Sequence, residues 1–403
     1  MVAACYQLSV ISQRGWASVM LLDNVWLFGL ALVVTLVTIP ILRRIAVARD
    51  LYDRPDAGLK PHHRPIPYLG GVGIWLGWLV VLLAGMVVMR EGISATASRW
   101  QLGWVAVGGS VLMLTGLVDD IRHLPPKLRL FVQLAVAGLL LYAGIGRGVW
   151  QGLMDPLGIG DWGSGMEGGA GILLNAGICF FVLAGATNST NLIDGLDGLC
   201  AGILGIAAVG FAVMVGLLSA LPTPETATGN PQSAIILVLS AAMLGACIGF
   251  LRYNFNPASM FMGDSGSLLL GLNVAVVIIL MAEQASWRGL IGAAVVFGFP
   301  IFDTALAIAR RWLNKRPLFI GDRSHFYDQL RDRGLSVRRT VLICYVIGVG
   351  FAAVGAGLML LPMVYEVAVF IGGPIVGAVA CWRLGMLRVD DAAEQSEGLR
   401  IDD

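Results

Sequence analysis

Eleven apolar runs take up most of the chain, near residues 24–42, 69–89, 102–118, 128–145, 171–187, 199–221, 233–251, 267–282, 289–309, 340–361 and 365–382. A helix needs about 20 apolar residues to cross the hydrocarbon layer of a bilayer. Charged residues make up only 13% of the 403, and hydrophobic residues 57%. A soluble domain carries about 25% charged residues. Mean hydropathy is +0.80. The expected fold is an all-α polytopic membrane protein of about ten or eleven transmembrane helices, since the fifth and eighth runs are short.

Charge sets the orientation. Of the 27 lysines and arginines, 22 fall in segments on one side of this topology. Arg14, Arg90, Arg99, Arg147 and Arg288 fall on the other. Positive residues stay on the cytoplasmic side, so the N-terminus is expected outside and the C-terminal tail inside. Residues 1–23 read as an N-terminal extension rather than a cleaved signal, because Arg14 and Asp23 interrupt any apolar core. Residues 24–384 read as the membrane domain and 385–403 as an acidic cytoplasmic tail. The Gly-rich segment 147–170 reads as an outer loop that partly re-enters. Six scattered cysteines without a Cys-x-x-Cys pair argue against a zinc site or a disulfide framework.

Against this apolar background, three acidic knots stand out: Asp119-Asp120, the segment Asn191-Leu-Ile-Asp194-Gly-Leu-Asp197-Gly198, and Gly263-Asp264-Ser265-Gly266. Ionisable groups at membrane depth are costly and usually have a task. All three fall at cytoplasmic ends of runs. Adjacent carboxylates repel unless a cation is near, and Lys127 or Arg129 is placed to supply it. Asn191, Asp194 and Asp197 face one way if their segment is helical. Gly195 and Gly198 instead permit a tight turn or the close approach of a ligand. Hard oxygen donors suit Mg²⁺, which is usually held by one or two carboxylates together with substrate phosphates. Small residues around Asp264 are expected to leave room for a diphosphate at a helix N-terminus. Phe261 is placed to stack on a base and Asn254 to read a base edge.

Two basic segments complete the set. One runs from Arg310-Arg311 through Arg323-Ser-His325-Phe-Tyr327-Asp328, and the other includes His62-His63-Arg64 before Pro65-Ile-Pro-Tyr-Leu-Gly70-Gly71. Arginine presents a planar fork to phosphate oxygens. Asp303, the one acid well inside a run, is expected to pair with Arg310.

From about residue 50 to 340 these motifs, in this order, resemble the polyprenyl-phosphate N-acetylhexosamine-1-phosphate transferases (the MraY/WecA-like superfamily). The resemblance implies transfer of a sugar 1-phosphate from a UDP-N-acetylhexosamine to polyprenyl (undecaprenyl) phosphate in a bacterial plasma membrane, with UMP leaving. It implies a requirement for Mg²⁺, with Mn²⁺ as a substitute, a cytoplasmic active site, and room for a homodimer. Nucleic acid is not an expected partner. By the same carry-over Asn191 and Asp264 hold the metal, while Asp119, Asp120, Asp194 and Asp197 are the catalytic acids. Lys127, Asn254, Phe261, Arg323, His325, His63 and Arg64 contact substrate. Tyr327 and Asp328 stand where the family commonly has further histidines. With no run of three histidines, a UDP-N-acetylglucosamine donor is favoured over the muramoyl-pentapeptide nucleotide.

The lipid phosphate is already largely dianionic at pH 7, its second pKa being about 6. Asp119 and Asp120 are therefore expected to position substrate or cation rather than to act as a base. Two rivals fit less well. A CDP-alcohol phosphotransferase needs further residues where this chain has Gly202, Val215 and Ser219. A secondary transporter places its acids at the bilayer midplane, not at span ends.

Overall fold

The computed structural model describes residues 25–53, 65–89, 93–154, 169–220, 231–315 and 325–386. The first half comprises α1 (Val25–Ala48), strands β1 (Tyr52–Asp53) and β2 (Ile66–Pro67), α2 (Gly70–Val88), α3 (Ile93–Arg122), α4 (Pro126–Tyr142), α5 (Val149–Met154) and α6 (Gly169–Leu192). The second half comprises α7 (Leu199–Ala220), α8 (Pro231–Asn254), α9 (Gly263–Val296), α10 (Gly298–Leu313), α11 (Phe326–Asp332), α12 (Val337–Leu358) and α13 (Met363–Arg383). The strands form one antiparallel pair with Tyr52 opposite Pro67. The fold is thus all-α and polytopic, as expected.

Nine helices among the described residues are long and apolar enough to span a membrane. The difference from eleven has two local causes. The fourth run becomes α4, whose 17 residues sit at the lower bound of about 17–25 for a span. The ninth run is divided between the end of α9 and α10. Helix α9 leaves helical dihedrals at Ala285 and Ser286, with φ of 54° at Ser286. Gly298 then opens α10, whose first turn accommodates Pro300, the only part of a helix where a missing N–H costs nothing. Of the outer loop, Val149–Met154 forms α5, and Trp287 Nε1 donates to Leu153 O at 2.7 Å just past the kink. Residues 155–168, the N-terminal extension and the tail beyond residue 386 lie outside the described residues.

Helix α9 is the axis of the bundle. It is apolar on all sides, and its most apolar stretch is buried throughout, with α2, α3, α6, α7, α8 and α12 packed around it. Such a helix has no face to offer lipid or water. Two buried polar bonds fix helices against one another: Trp78 Nε1 to Asn273 Oδ1 at 2.8 Å and Gln133 Nε2 to Thr187 Oγ1 at 3.0 Å. Bonds of this kind average about 0.6 kcal/mol in membrane bundles. The five described cysteines are free and buried.

Close backbone approach does the rest. A Cβ on Gly116 of α3 would overlap the Asp264 carbonyl, and one on Gly71 of α2 would overlap Gly266 N. These glycines let α2, α3 and α9 meet backbone to backbone at one end of the bundle. Gly116→Ala should therefore cost about 1–3 kcal/mol through overpacking. Gly138→Ala, where a Cβ meets nothing within 4 Å, should be neutral or slightly stabilising. Thermal unfolding of the two purified variants checks the contrast.

Candidate active site

The site is built on the N-terminus of α9. Gly263 has φ of +69°, and a Cβ there would run into the Asp120 carboxylate. Glycine meets both demands at once. Asp120, at the end of α3, accepts the Asp264 N–H at 2.8 Å on Oδ1 and the Ser265 N–H at 3.3 Å on Oδ2. The first amides of a helix have no partner in their own helix, and an anion there also gains from the helix dipole. Asp120 thus caps α9 from another element. The small residues around Asp264 serve helix contact: Gly263 faces Asp120 and Gly266 faces Gly71 and Met262. The faces of these two glycines are thus filled by α2 and α3, not left open as expected from residue size alone.

Asp264 stands between two other side chains. Its Oδ1 accepts from Asn191 Nδ2 at 2.6 Å, and its Oδ2 lies 3.3 Å from Arg129 Nη1. The same nitrogen is 2.9 Å from Asp119 Oδ2, and Asp119 Oδ1 accepts the Leu124 N–H at 2.6 Å. One guanidinium thus bridges two acidic knots that would otherwise repel. Of the two cations foreseen, Arg129 fills this place. Lys127, two residues earlier, is exposed. The other amide hydrogen of Asn191 goes to Ser267 Oγ at 3.0 Å, so the group it has left for a cation is Oδ1.

The 193–198 segment is a turn between α6 and α7, with Gly198 at φ +83°. Only Asn191 lies on a helix, so the three residues do not share a helical face. Asp197 Oδ2 accepts from Asn256 Nδ2 at 2.9 Å and from the Ala258 N–H at 3.0 Å. Asn254 is buried, accepts the Gly198 N–H at 2.9 Å and donates to Met260 O at 3.0 Å. Both residues tie the turn to the 255–262 loop. Asn254 therefore acts as a strut, a structural task that its residue type did not suggest. Gly195 makes room for the Tyr327 ring rather than for a ligand.

Asp194 differs from its neighbours. Its side chain has no hydrogen bond or ion pair among the described residues, and it is half-buried. Burial, then the charges of Asp264, Asp120 and Asp197, raise its carboxyl well above the ordinary carboxylate range. This is the acid that most needs a cation.

A second cluster adjoins the turn. Asp303 of α10 is fully buried. It accepts the Phe326 N–H on Oδ1 and faces His325 Nδ1 with Oδ2, both at 2.7 Å. Its partner is thus His325, not Arg310. Tyr327 stacks on His325 with ring centroids 5.4 Å apart and planes within 5°. Its hydroxyl donates to Leu192 O at 3.0 Å, two residues before Asp194.

The loop from Ile66 to Gly71 is held against residues 261–262. Phe261 N donates to Pro67 O at 2.8 Å, and Gly70 N and Gly71 N donate to Phe261 O and Met262 O at 3.0 Å. Phe261, half-buried, shapes the site through its backbone at least as much as through its ring. Tyr68 in this loop is a further polar group of the site that no motif singles out; burial, then the charges of Asp120 and Asp53, raise its phenol pKa. His63, Arg64 and Arg323 lie outside the described residues.

Residues 102–282, from α3 through most of α9, match the family described as Glycosyl transferase family 4. The chain is 32% identical over 328 residues to the probable undecaprenyl-phosphate N-acetylglucosaminyl 1-phosphate transferase of Bacillus subtilis (strain 168), covering 81% of this chain and 82% of that protein. It is also 32% identical over 348 residues to the decaprenyl-phosphate N-acetylglucosaminephosphotransferase of Mycobacterium tuberculosis (strain CDC 1551 / Oshkosh), covering 82% and 81%. A phospho-N-acetylmuramoyl-pentapeptide-transferase of Geobacillus sp. (strain WCH70) is 28% identical over 347 residues, covering 84% and 97%. Similarity of this extent, spanning every acidic knot of the site, makes the chain a member of glycosyl transferase family 4.

Proposed function

We propose that the chain transfers N-acetylglucosamine 1-phosphate, or a closely related N-acetylhexosamine 1-phosphate, from a UDP-sugar to a polyprenyl phosphate, releasing UMP. The observation that carries this reading is the convergence of Asn191, Asp194 and Asp264 at one end of the bundle, with Asp194 lacking a side-chain partner among the described residues. Relatives named for undecaprenyl or decaprenyl phosphate stand at 31–32% identity, against 28–30% for the muramoyl-pentapeptide relatives. That order supports N-acetylglucosamine as the sugar.

The residues fit a magnesium ion in the way that ion is usually held. No group of three or more His, Cys, Asp or Glu among the described residues could hold a metal alone. Magnesium ordinarily takes one or two protein carboxylates and completes its shell with water and substrate phosphates. Asp264, Asp194 and Asn191 Oδ1 are the hard donors for it. When bound, the ion would neutralise charge on the diphosphate and on the departing UMP. The protein's own residues align the reactants. Asp120 fixes the end of α9 and so the position of Asp264. Asp119 holds Arg129 at the mouth of the site, where its guanidinium can meet phosphate oxygens. His325, the residue just before α11, adds a second donor. The acceptor phosphate, largely dianionic at pH 7, needs orientation more than deprotonation. The excess of Lys and Arg in segments at this end supports a cytoplasmic site.

Incubation of purified enzyme with undecaprenyl phosphate and a panel of UDP-sugars should yield UMP with UDP-N-acetylglucosamine. No UMP from any donor would refute the reading. Chelation by EDTA should abolish the reaction and Mg²⁺ should restore it. Asp194→Asn should reduce turnover about 100-fold or more, the scale on which single electrostatic groups act, with an unfolding temperature unchanged or raised. Asp120→Asn should behave in the opposite sense. It loses the charge at a helix N-terminus and one of two acceptor oxygens, costing about 1–3 kcal/mol of stability, which thermal unfolding would register.

A further inference from the structure

We propose that Asp303 is a positioning residue that fixes the proton of His325 at Nδ1 and, together with Tyr327, the plane of its ring. Only the kinetic arm of this inference rests on the proposed transfer. Asp303 is fully buried, and an ionised carboxylate taken out of water is costly unless its oxygens are bonded. Here each oxygen has a donor at 2.7 Å: the Phe326 N–H on Oδ1 and His325 Nδ1 on Oδ2. The backbone donor cannot be exchanged for an acceptor, so it anchors the carboxylate independently of the histidine. A carboxylate has no proton to offer, and the nitrogen facing it must therefore carry one. That fixes the proton at Nδ1, and the negative charge behind the ring favours a second proton at Nε2 whenever an anion is in front.

The plane of the ring is fixed from the other side. Tyr327 stacks on it within 5°, and the tyrosine is itself held by its hydroxyl bond to Leu192 O and by contact with Gly195. The clamp therefore joins α10, α11 and the turn that carries Asp194. It gives a physical reason for two oddities of the sequence, the acid deep within an apolar run and the tyrosine two residues after His325.

Asp303→Asn is the discriminating variant. Asparagine presents one oxygen where two donors point, and its own amide N–H would push the His325 proton from Nδ1 to Nε2. The chain has four histidines, so ring-¹⁵N labelling of the full-length protein in lipid nanodiscs gives a spectrum that His325→Gln can assign. The expected result is a protonated Nδ1 in the natural protein and a neutral ring protonated at Nε2 in Asp303→Asn. UMP turnover should fall roughly tenfold or more, the scale on which partners of a functional histidine act, with KM for the UDP-sugar little changed. An unprotonated Nδ1 in the natural protein would overturn the proposal. So would an Asp303→Asn protein with unaltered ring shifts and turnover. If Asp303→Asn does not fold, the spectrum of the natural protein alone decides. If the natural enzyme releases no UMP, the transfer reading fails while the spectrum still tests the clamp.

Discussion

The junction of Asp120 with the first amides of α9 is the contact on which the site depends. Two N–H groups at a helix start need acceptors, and a carboxylate from α3 supplies both. The bond is possible only because Gly263 adopts φ of +69° and lacks a Cβ, and because Gly116 lets α3 lie against the Asp264 backbone. Once the end of α9 is fixed, Asp264 is fixed, and with it Arg129 and Asn191. The loop before α2 then docks on residues 261–262 through three backbone bonds. A site at the edge of an apolar bundle is thus held largely by main-chain geometry, which long side chains at a water boundary would hold less firmly.

The acids divide by what their oxygens already do. Asp120 and Asp197 are bonded to backbone amides, Asp119 is bonded to Arg129 and the Leu124 N–H, and Asp303 is bonded to His325 and Phe326 N. Their charge is spent on holding elements together. Asp264 is shared between Arg129 and Asn191, and Asp194 has no side-chain partner among the described residues. A carboxylate kept uncompensated among three other acids is destabilising in itself. Such an arrangement makes sense if a cation or cationic group is drawn to it during the reaction.

Much of this was legible in the sequence. The apolar runs give the helices, and the three acidic knots with Pro65–Gly71 identify the residues that converge. What was not legible follows from distances that sequence spacing does not encode. Lys127 and Arg129 are equivalent as neighbouring charges, and only the start of α4 at Pro126 decides which one reaches Asp119. The glycines beside Asp264 read alike whether they admit a ligand or a helix; here the space is filled by α2 and α3. Asn254 and Gly198 are 56 residues apart in the chain, so no local pattern could reveal that the amide braces the turn. Arg310 lies two turns along the same helix from Asp303 and suggests a local ion pair, yet the carboxylate meets His325 and Phe326 N from the far side of a loop.

These differences have a common direction. Where residue type alone suggested contact with substrate, as for Asn254, Asp120 and the glycines, the fold uses the residue to fix another. Placing a diphosphate and a lipid phosphate in line requires the reacting groups to be held within fractions of an ångström, while the groups that hold them need not touch either. At the mouth of a membrane bundle the supporting groups must themselves be polar, because apolar packing ends where the helices do. An excess of conspicuous polar residues over those that meet substrate is therefore what the physics of such a site demands. Here Asp120 fixes the start of α9, which carries Asp264, while Asp197 and Asn254 fix the turn that carries Asp194.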